Sequence, residues 1–315
     1  MRVRASHRPS GSRWTAVRPG ASALAFALAG VLAGCSSSAA EPTERLPPVS
    51  TGVQVEEGLT YWSDATTSLQ LDACLPPDRS EGVDGSSIAI VIVHGGGFTD
   101  GDRAGGGSRE LCETAAEFGQ AAFSIDYRLA PDHHYPAQVD DLAHAVQWLR
   151  APEQAERFGI DPSRIGVIGS SAGAIIAQSL ATRGQGPLDT GERVGAVVSL
   201  SGVSVMTPEG LQLGEPSSQA VQLVLTYLGC SSPQNCPQGA AASAITAVDP
   251  SDPPMYLVNG LDELVPREQA DAMAAALTQA GVPVETMIVD APDHGTALLN
   301  GTVRQGVLAF LEEHL

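Results

Sequence analysis

Residues 165–176 read Ile-Gly-Val-Ile-Gly-Ser-Ser-Ala-Gly-Ala-Ile-Ile, and at their centre Gly169-Ser170-Ser171-Ala172-Gly173 fits the pattern Gly-x-Ser-x-Gly. An apolar run of strand length enters this stretch, and an Ala/Ile-rich run of helix length leaves it. Ser171 at the apex of so tight a turn could act as a nucleophile. The strained backbone lifts its hydroxyl clear, the free N–H groups of the helix start lie beneath it, and only small residues fit two places before and after. A second stretch, His94-Gly95-Gly96-Gly97-Phe98, also follows an apolar run. Three glycines let backbone N–H groups turn toward an anion, because no Cβ obstructs the approach. The plain alternatives are a Gly/Ser-rich turn and a flexible loop. The position of each stretch directly after a strand-like run favours chemistry.

Both stretches need a sheet to hold them. Residues 53–62 and 68–75 alternate as two antiparallel edge strands, and residues 87–93 (Ser-Ile-Ala-Ile-Val-Ile-Val) form a continuous β-branched run of the kind buried on both faces. Residues 121–127, 164–169, 196–201, 255–259 and 284–289 repeat the theme. Helical stripes separate them: Val139, Leu142, Val146 and Leu149 after Pro136, then residues 270–277 and 303–311. Strands alternating with helices predict an α/β fold, a mostly parallel sheet of about eight strands covered by helices on both faces. Residues 53–315 read as one domain without internal repeats. Within it, residues 202–253 are the least patterned, with one helix expected over 219–228 and loops forming a small lid.

Several motifs in order resemble a known family. His94-Gly95-Gly96-Gly97 follows the third strand, Asp126-Tyr127-Arg128-Leu129-Ala130-Pro131 the fourth, Pro136-Ala137 opens the next helix, and the serine elbow follows the fifth. This layout resembles the esterase/lipase branch of the α/β-hydrolases related to hormone-sensitive lipase, over residues 54 to the end. The resemblance implies an oxyanion hole built from the N–H groups of Gly96, Gly97 and Ala172. It also implies a structural Arg128, paired with a carboxylate such as Asp141. The chain departs from that branch in having Ser170 and Ala174 where the usual elbow reads Gly-Asp-Ser-Ala-Gly-Gly, and in lacking its N-terminal helical cap. Those departures favour an open-site esterase, similar to compact esterases that deacylate plant polysaccharides, over a long-chain lipase.

A serine hydroxyl is a weak nucleophile until an imidazole takes its proton, and in this fold the order is Ser, acid, His. Of seven histidines, His7 lies in the basic leader, His94 in the glycine turn and His314 at the end of the last helix. His133, His134 and His144 precede the serine, which leaves His294, just beyond the eighth strand. The acid should follow the seventh strand, where Gly260-Leu261-Asp262-Glu263-Leu264-Val265-Pro266 resembles the family pattern Gly-x-x-Asp-x-x-Val-Pro in shortened form. A carboxylate at a strand's C-terminal end faces the same rim as Ser171. Asp262 is the expected acid, with Glu263 the alternative. No cofactor is required for this chemistry.

The 315 residues carry 36 acidic and 17 basic side chains, a formal charge of −19, and every basic residue is Arg. So acidic a chain is a poor partner for nucleic acid or anionic lipid. Arg2, Arg4, Arg8, Arg13 and Arg18 precede a short apolar run from Ala21 to Gly34, too short to span a bilayer, so residues 1–34 read as an export signal. Leu32-Ala33-Gly34-Cys35 resembles a bacterial lipobox, which implies lipidation of Cys35 and retention on a membrane surface; cleavage near Ser38-Ala39-Ala40 and secretion is the alternative. Residues 35–52 read as a flexible tether. The four remaining cysteines suggest two disulfides in an exported protein, with Cys230–Cys236 closing a short loop and leaving Cys74–Cys112. No cysteine has nearby His partners at zinc spacing.

The reading is a serine carboxylesterase acting on short-chain acyl esters of small molecules or polysaccharides. A peptidase of this fold would need a further domain to admit peptides, and no propeller-like repeat precedes this one. A non-catalytic surface binding protein would be expected to lack a triad or oxyanion residue, and the full set is present.

Overall fold

The computed structural model describes residues 52–77 and 87–315. The expected export signal, tether and lipidated Cys35 lie outside the described residues. Eight strands form one sheet in the order β1-β2-β4-β3-β5-β6-β7-β8. They are β1 (Gln54–Ser63), β2 (Ser68–Leu75), β3 (Ser87–Val93), β4 (Ala121–Ile125), β5 (Ile160–Ser170), β6 (Ala196–Leu200), β7 (Met255–Gly260) and β8 (Val284–Val289). β2 pairs antiparallel with both β1 and β4, and every other pairing is parallel. This is the α/β-hydrolase arrangement. Among the described residues, eight α-helices accompany it: α1 (Ser108–Glu117), α2 (Ala137–Arg150), α3 (Pro152–Phe158), α4 (Ala172–Ala181), α5 (Ser218–Leu228), α6 (Gln238–Ala242), α7 (Glu268–Ala280) and α8 (Gly301–His314).

Alternation along β3 shows how the sheet is covered. Ala89, Val91 and Val93 join the core under α2, α4 and α7, whereas Ile90 and Ile92 join the core under α1 and α8. A strand buried on both faces needs apolar residues at successive positions, and β3 has them from Ile88 to Val93. The first core takes Val139, Leu142, Val146 and Leu149 from α2, and the second takes Val303, Val307, Phe310 and Leu311 from α8. Sequence periodicity placed both stripes correctly. It did not identify α1, whose first turn follows the left-handed Gly107 without a side-chain cap, or α3, which starts at Pro152 and stops at the left-handed Gly159.

Two kinds of link brace the fold. Arg128 binds the fully buried Asp141 through Nε (2.9 and 3.0 Å), Nη2 (2.6 Å) and its own backbone N–H (2.8 Å), as the sequence implied. Breaking such a buried pair on one side strands a charge, at a cost of about 3–5 kcal/mol. Disulfides join Cys74 of β2 to Cys112 of α1, and Cys230 to Cys236 just after α5, which is the expected pairing. The parallel register then aligns the strand ends: Val93 stands opposite Gly169, Ser170 opposite Leu200, and Gly260 opposite Val289. The segments after β3, β5, β6, β7 and β8 therefore leave from one rim, where a doubly covered parallel sheet places its ligands.

Candidate active site

Ser171 occupies the turn between β5 and α4 with φ 53° and ψ −115°. Positive φ is strained for a residue with a Cβ, and it points the hydroxyl away from the strand. The neighbours are glycines for a measurable reason. A Cβ on Gly169 would lie 2.3 Å from the Gly173 carbonyl oxygen, and one on Gly173 would lie 2.1 Å from the Val93 oxygen. The start of α4 thus presses directly on β5 and on the end of β3.

His294 follows β8, and its Nε2 lies 2.8 Å from Ser171 Oγ. Its Nδ1 makes a short contact with Glu263 Oε2. The acid against the imidazole is therefore Glu263 and not the expected Asp262. Asp262 is exposed, while the Glu263 side chain is fully buried. The reason lies in how the chain turns after β7. Gly260 ends the strand, and its N–H donates 2.8 Å to Glu263 Oε1, so the third residue of the turn folds back over the strand end. Glu263 Oε1 accepts also from Ser201 Oγ (2.7 Å) and Asn259 Nδ2 (3.2 Å), leaving Oε2 for the histidine. Counted from Gly260, the family spacing Gly-x-x-acid falls on Glu263; counted back from Val265-Pro266 it falls on Asp262. The deletion lies after the acid, and the glycine fixes the register because its N–H binds the carboxylate.

The glycine turn lies beside the elbow. A Cβ on Gly95 would stand 3.2 Å from Ser171 Cβ, and Gly96 and Gly97 have φ of 109° and 59°, open to glycine and poor for other residues. Among the described residues, no acceptor takes the N–H groups of Gly96, Gly97 or Ala172. His94 braces the turn. Its Nδ1 lies 2.7 Å from the Gly95 carbonyl, and its ring stacks on Tyr127 at 4.1 Å. Burial pushes its pKa below the usual histidine value, so the ring is neutral where it supports the loop. Phe98, buried after the third glycine, stacks on Tyr227 of α5 at 3.9 Å.

Sequence reasoning missed two hydroxyls behind the triad. Ser170 Oγ accepts from the Thr296 N–H at 3.1 Å, and Ser201 Oγ accepts from the Gly295 N–H at 2.9 Å. Both tie the histidine loop to the strand ends. Neither has a sequence signature beyond being a serine at the end of an apolar run. A shallow cleft lies between α5 and the acid turn, lined by Val203, Leu211, Val224, Leu264 and Gln269 among others. Gln269 is fully occupied there: its Oε1 accepts from Ser204 and Val205, and its Nε2 donates to Gly210. The cleft wall is accordingly apolar in effect.

The chain is similar to several known proteins. Rabbit (Oryctolagus cuniculus) arylacetamide deacetylase is 30% identical over 139 residues, which is 44% of this chain and 33% of that protein. The first curated relatives are matched over only a quarter to a third of their own length. A truncated carbohydrate esterase from gut microbiota superposes with a TM-score of 0.69 at 22% identity, covering 83% of this chain and 96% of that one. The esterase Est2 of Thermogutta terrifontis superposes with a TM-score of 0.63 at 25% identity, covering 84% and 91%. The BD-FAE family matches residues 71–277, more than half of the chain and the whole span from β2 through the serine elbow and the acid turn to α7. The chain thus belongs to the BD-FAE family, on an α/β-hydrolase fold.

Proposed function

We propose that this protein is a serine carboxylesterase that hydrolyses short-chain acyl esters through an acyl-enzyme. The observation that carries the reading is the unbroken relay from Ser171 through His294 to Glu263, beside three unclaimed N–H groups. His294 Nε2 takes the Ser171 proton as Oγ attacks the ester carbonyl. The carbonyl oxygen becomes an alkoxide held by the N–H groups of Gly96, Gly97 and Ala172. Glu263 orients the ring and balances the imidazolium charge. Collapse expels the alcohol, which leaves with the proton from His294 and leaves the acyl group on Ser171. Water then repeats the attack, giving up its proton to His294, and releases the acid as the Ser171 hydroxyl is restored. Removing one oxyanion donor from such a site typically costs about 10²–10³ in rate.

A short acyl group is the expectation from the elbow residues Ser170 and Ala174, which depart from the long-chain lipase pattern. The esterases among its relatives and structural neighbours support the reaction class, and the carbohydrate esterase makes acetylated and feruloylated polysaccharides the first natural substrates to try. Export and anchoring through a lipid on Cys35 complete the reading; Cys35→Ser should release the protein from membranes, and full retention would contradict it. Purified residues 36–315 should turn over p-nitrophenyl esters with a rate that falls from acetate to palmitate, and Ser171→Ala should abolish it. A folded protein inert on every ester would instead point to a binding role.

A further inference from the structure

We infer that Ser201 is a positioning residue of the reaction, a fourth member that closes the acid and the base into one ring of contacts. This rests on the esterase reading of the site. Ser201 follows the last residue of β6, and its N–H donates 2.8 Å to the Val258 carbonyl of β7. It is fully buried and has φ 61°, a left-handed conformation unusual outside glycine. Strain of that kind at a rim is held only where the surroundings determine it.

The hydroxyl is used in both directions. The Gly295 N–H can only donate, so at 2.9 Å it fixes Ser201 Oγ as acceptor. The hydroxyl proton is then free to point at Glu263 Oε1, 2.7 Å away. The contacts form a loop: Glu263 Oε2 to His294 Nδ1, along the backbone to Gly295, through its N–H to Ser201, and back to Glu263 Oε1. The carboxylate is gripped at both oxygens, and the peptide group beside His294 is held by the same hydroxyl. A shift of the histidine loop away from Ser171 would disturb the Glu263 and Ser201 contacts together.

Two variants separate this role from plain packing. Ser201→Gly accepts the positive φ and removes the hydroxyl with its Cβ, and Ser201→Ala removes the hydroxyl alone with the strain retained. The readouts are kcat and KM for p-nitrophenyl acetate, and the His294 Nδ1–H proton resonance followed by NMR without substrate. Beyond Glu263, the charged groups on the two loops are Asp262, Asp290 and Asp293, all exposed, and the buried His94 braces the adjacent glycine turn. The proposal predicts that Ser201→Gly lowers kcat about tenfold or more, the effect of losing one hydrogen bond to a charged group, with KM within about twofold. It also predicts that the low-field His294 Nδ1–H resonance, the signature of the contact with Glu263, shifts or broadens in Ser201→Gly. A folded Ser201→Gly with wild-type kcat and an unchanged Nδ1–H resonance would overturn it. If the parent protein turned over no ester, the esterase reading would fall, while the resonance would still decide the role of Ser201.

Discussion

Two buried carboxylates bracket β7, and the chain treats them in opposite ways. Glu263, beyond the C-terminal end of the strand, accepts from Gly260 N–H, Asn259 Nδ2 and Ser201 Oγ through one oxygen and meets His294 through the other. Asp252, before the N-terminal end, accepts one N–H from Asp249 at 2.9 Å, and its Oδ1 takes no hydrogen bond among the described residues. Its nearest cation, Arg193, stands 3.7 Å away and spends its donors on the carbonyls of Ala181, Arg183, Gly184 and Ser251. Burial pushes Asp252 up to about 6 against the weaker pull of the Asp249 N–H and Arg193. Full ligation suits a carboxylate that must stay charged and aimed. Partial ligation is tolerated at the far end, where nothing reacts.

The widest test of this division is Ser171→Ala, which should cost about 10⁴-fold or more in kcat while leaving the melting temperature within a few degrees. Loss of fold together with activity would mean the rim is also a stability centre. Gly173→Ala should do the reverse damage. Its new Cβ has only the Val93 and His94 backbone to displace, so denaturant unfolding should show a loss of about 3 kcal/mol. Wild-type stability would show that the elbow is looser than the contacts imply. Asn259→Ala removes one donor from Glu263 and should lower kcat several-fold with little change in stability. Unchanged turnover would leave Gly260 and Ser201 as sufficient support.

The smallest effect is expected at Asp252. A carboxyl whose folded pKa lies above its unfolded value contributes stability below about pH 4, and that contribution is lost as pH rises through about 6. Asp252→Asn, which keeps the acceptor for the Asp249 N–H, should therefore raise the melting temperature at pH 8 relative to pH 4 and leave ester turnover unchanged. A melting curve that loses stability at pH 8 would show that the Arg193 pairing outweighs desolvation.

What was legible in the sequence follows the same line between steric and polar control. The elbow was readable because backbone approaches near 2 Å from the would-be Cβ atoms of Gly169 and Gly173 admit only glycine, and the spacing records it. His294, the Arg128–Asp141 pair and the disulfide pairing were readable from order, resemblance and count. Ser201 depends on contacts across 62 and 94 residues, which local spacing does not encode. Two adjacent acids after β7 satisfied the pattern equally until the Gly260 N–H chose between them. Residue types marked the turn, and the fold-back of the chain assigned the role.

The most direct test of the account sets Glu263→Gln beside Asp262→Asn, with kcat on p-nitrophenyl acetate as the readout. The geometry predicts a loss of about 10⁴-fold for Glu263→Gln, comparable to neutralising the acid of a serine triad, and turnover within about twofold of the parent for Asp262→Asn. The opposite pattern, an active Glu263→Gln and a crippled Asp262→Asn, would contradict it.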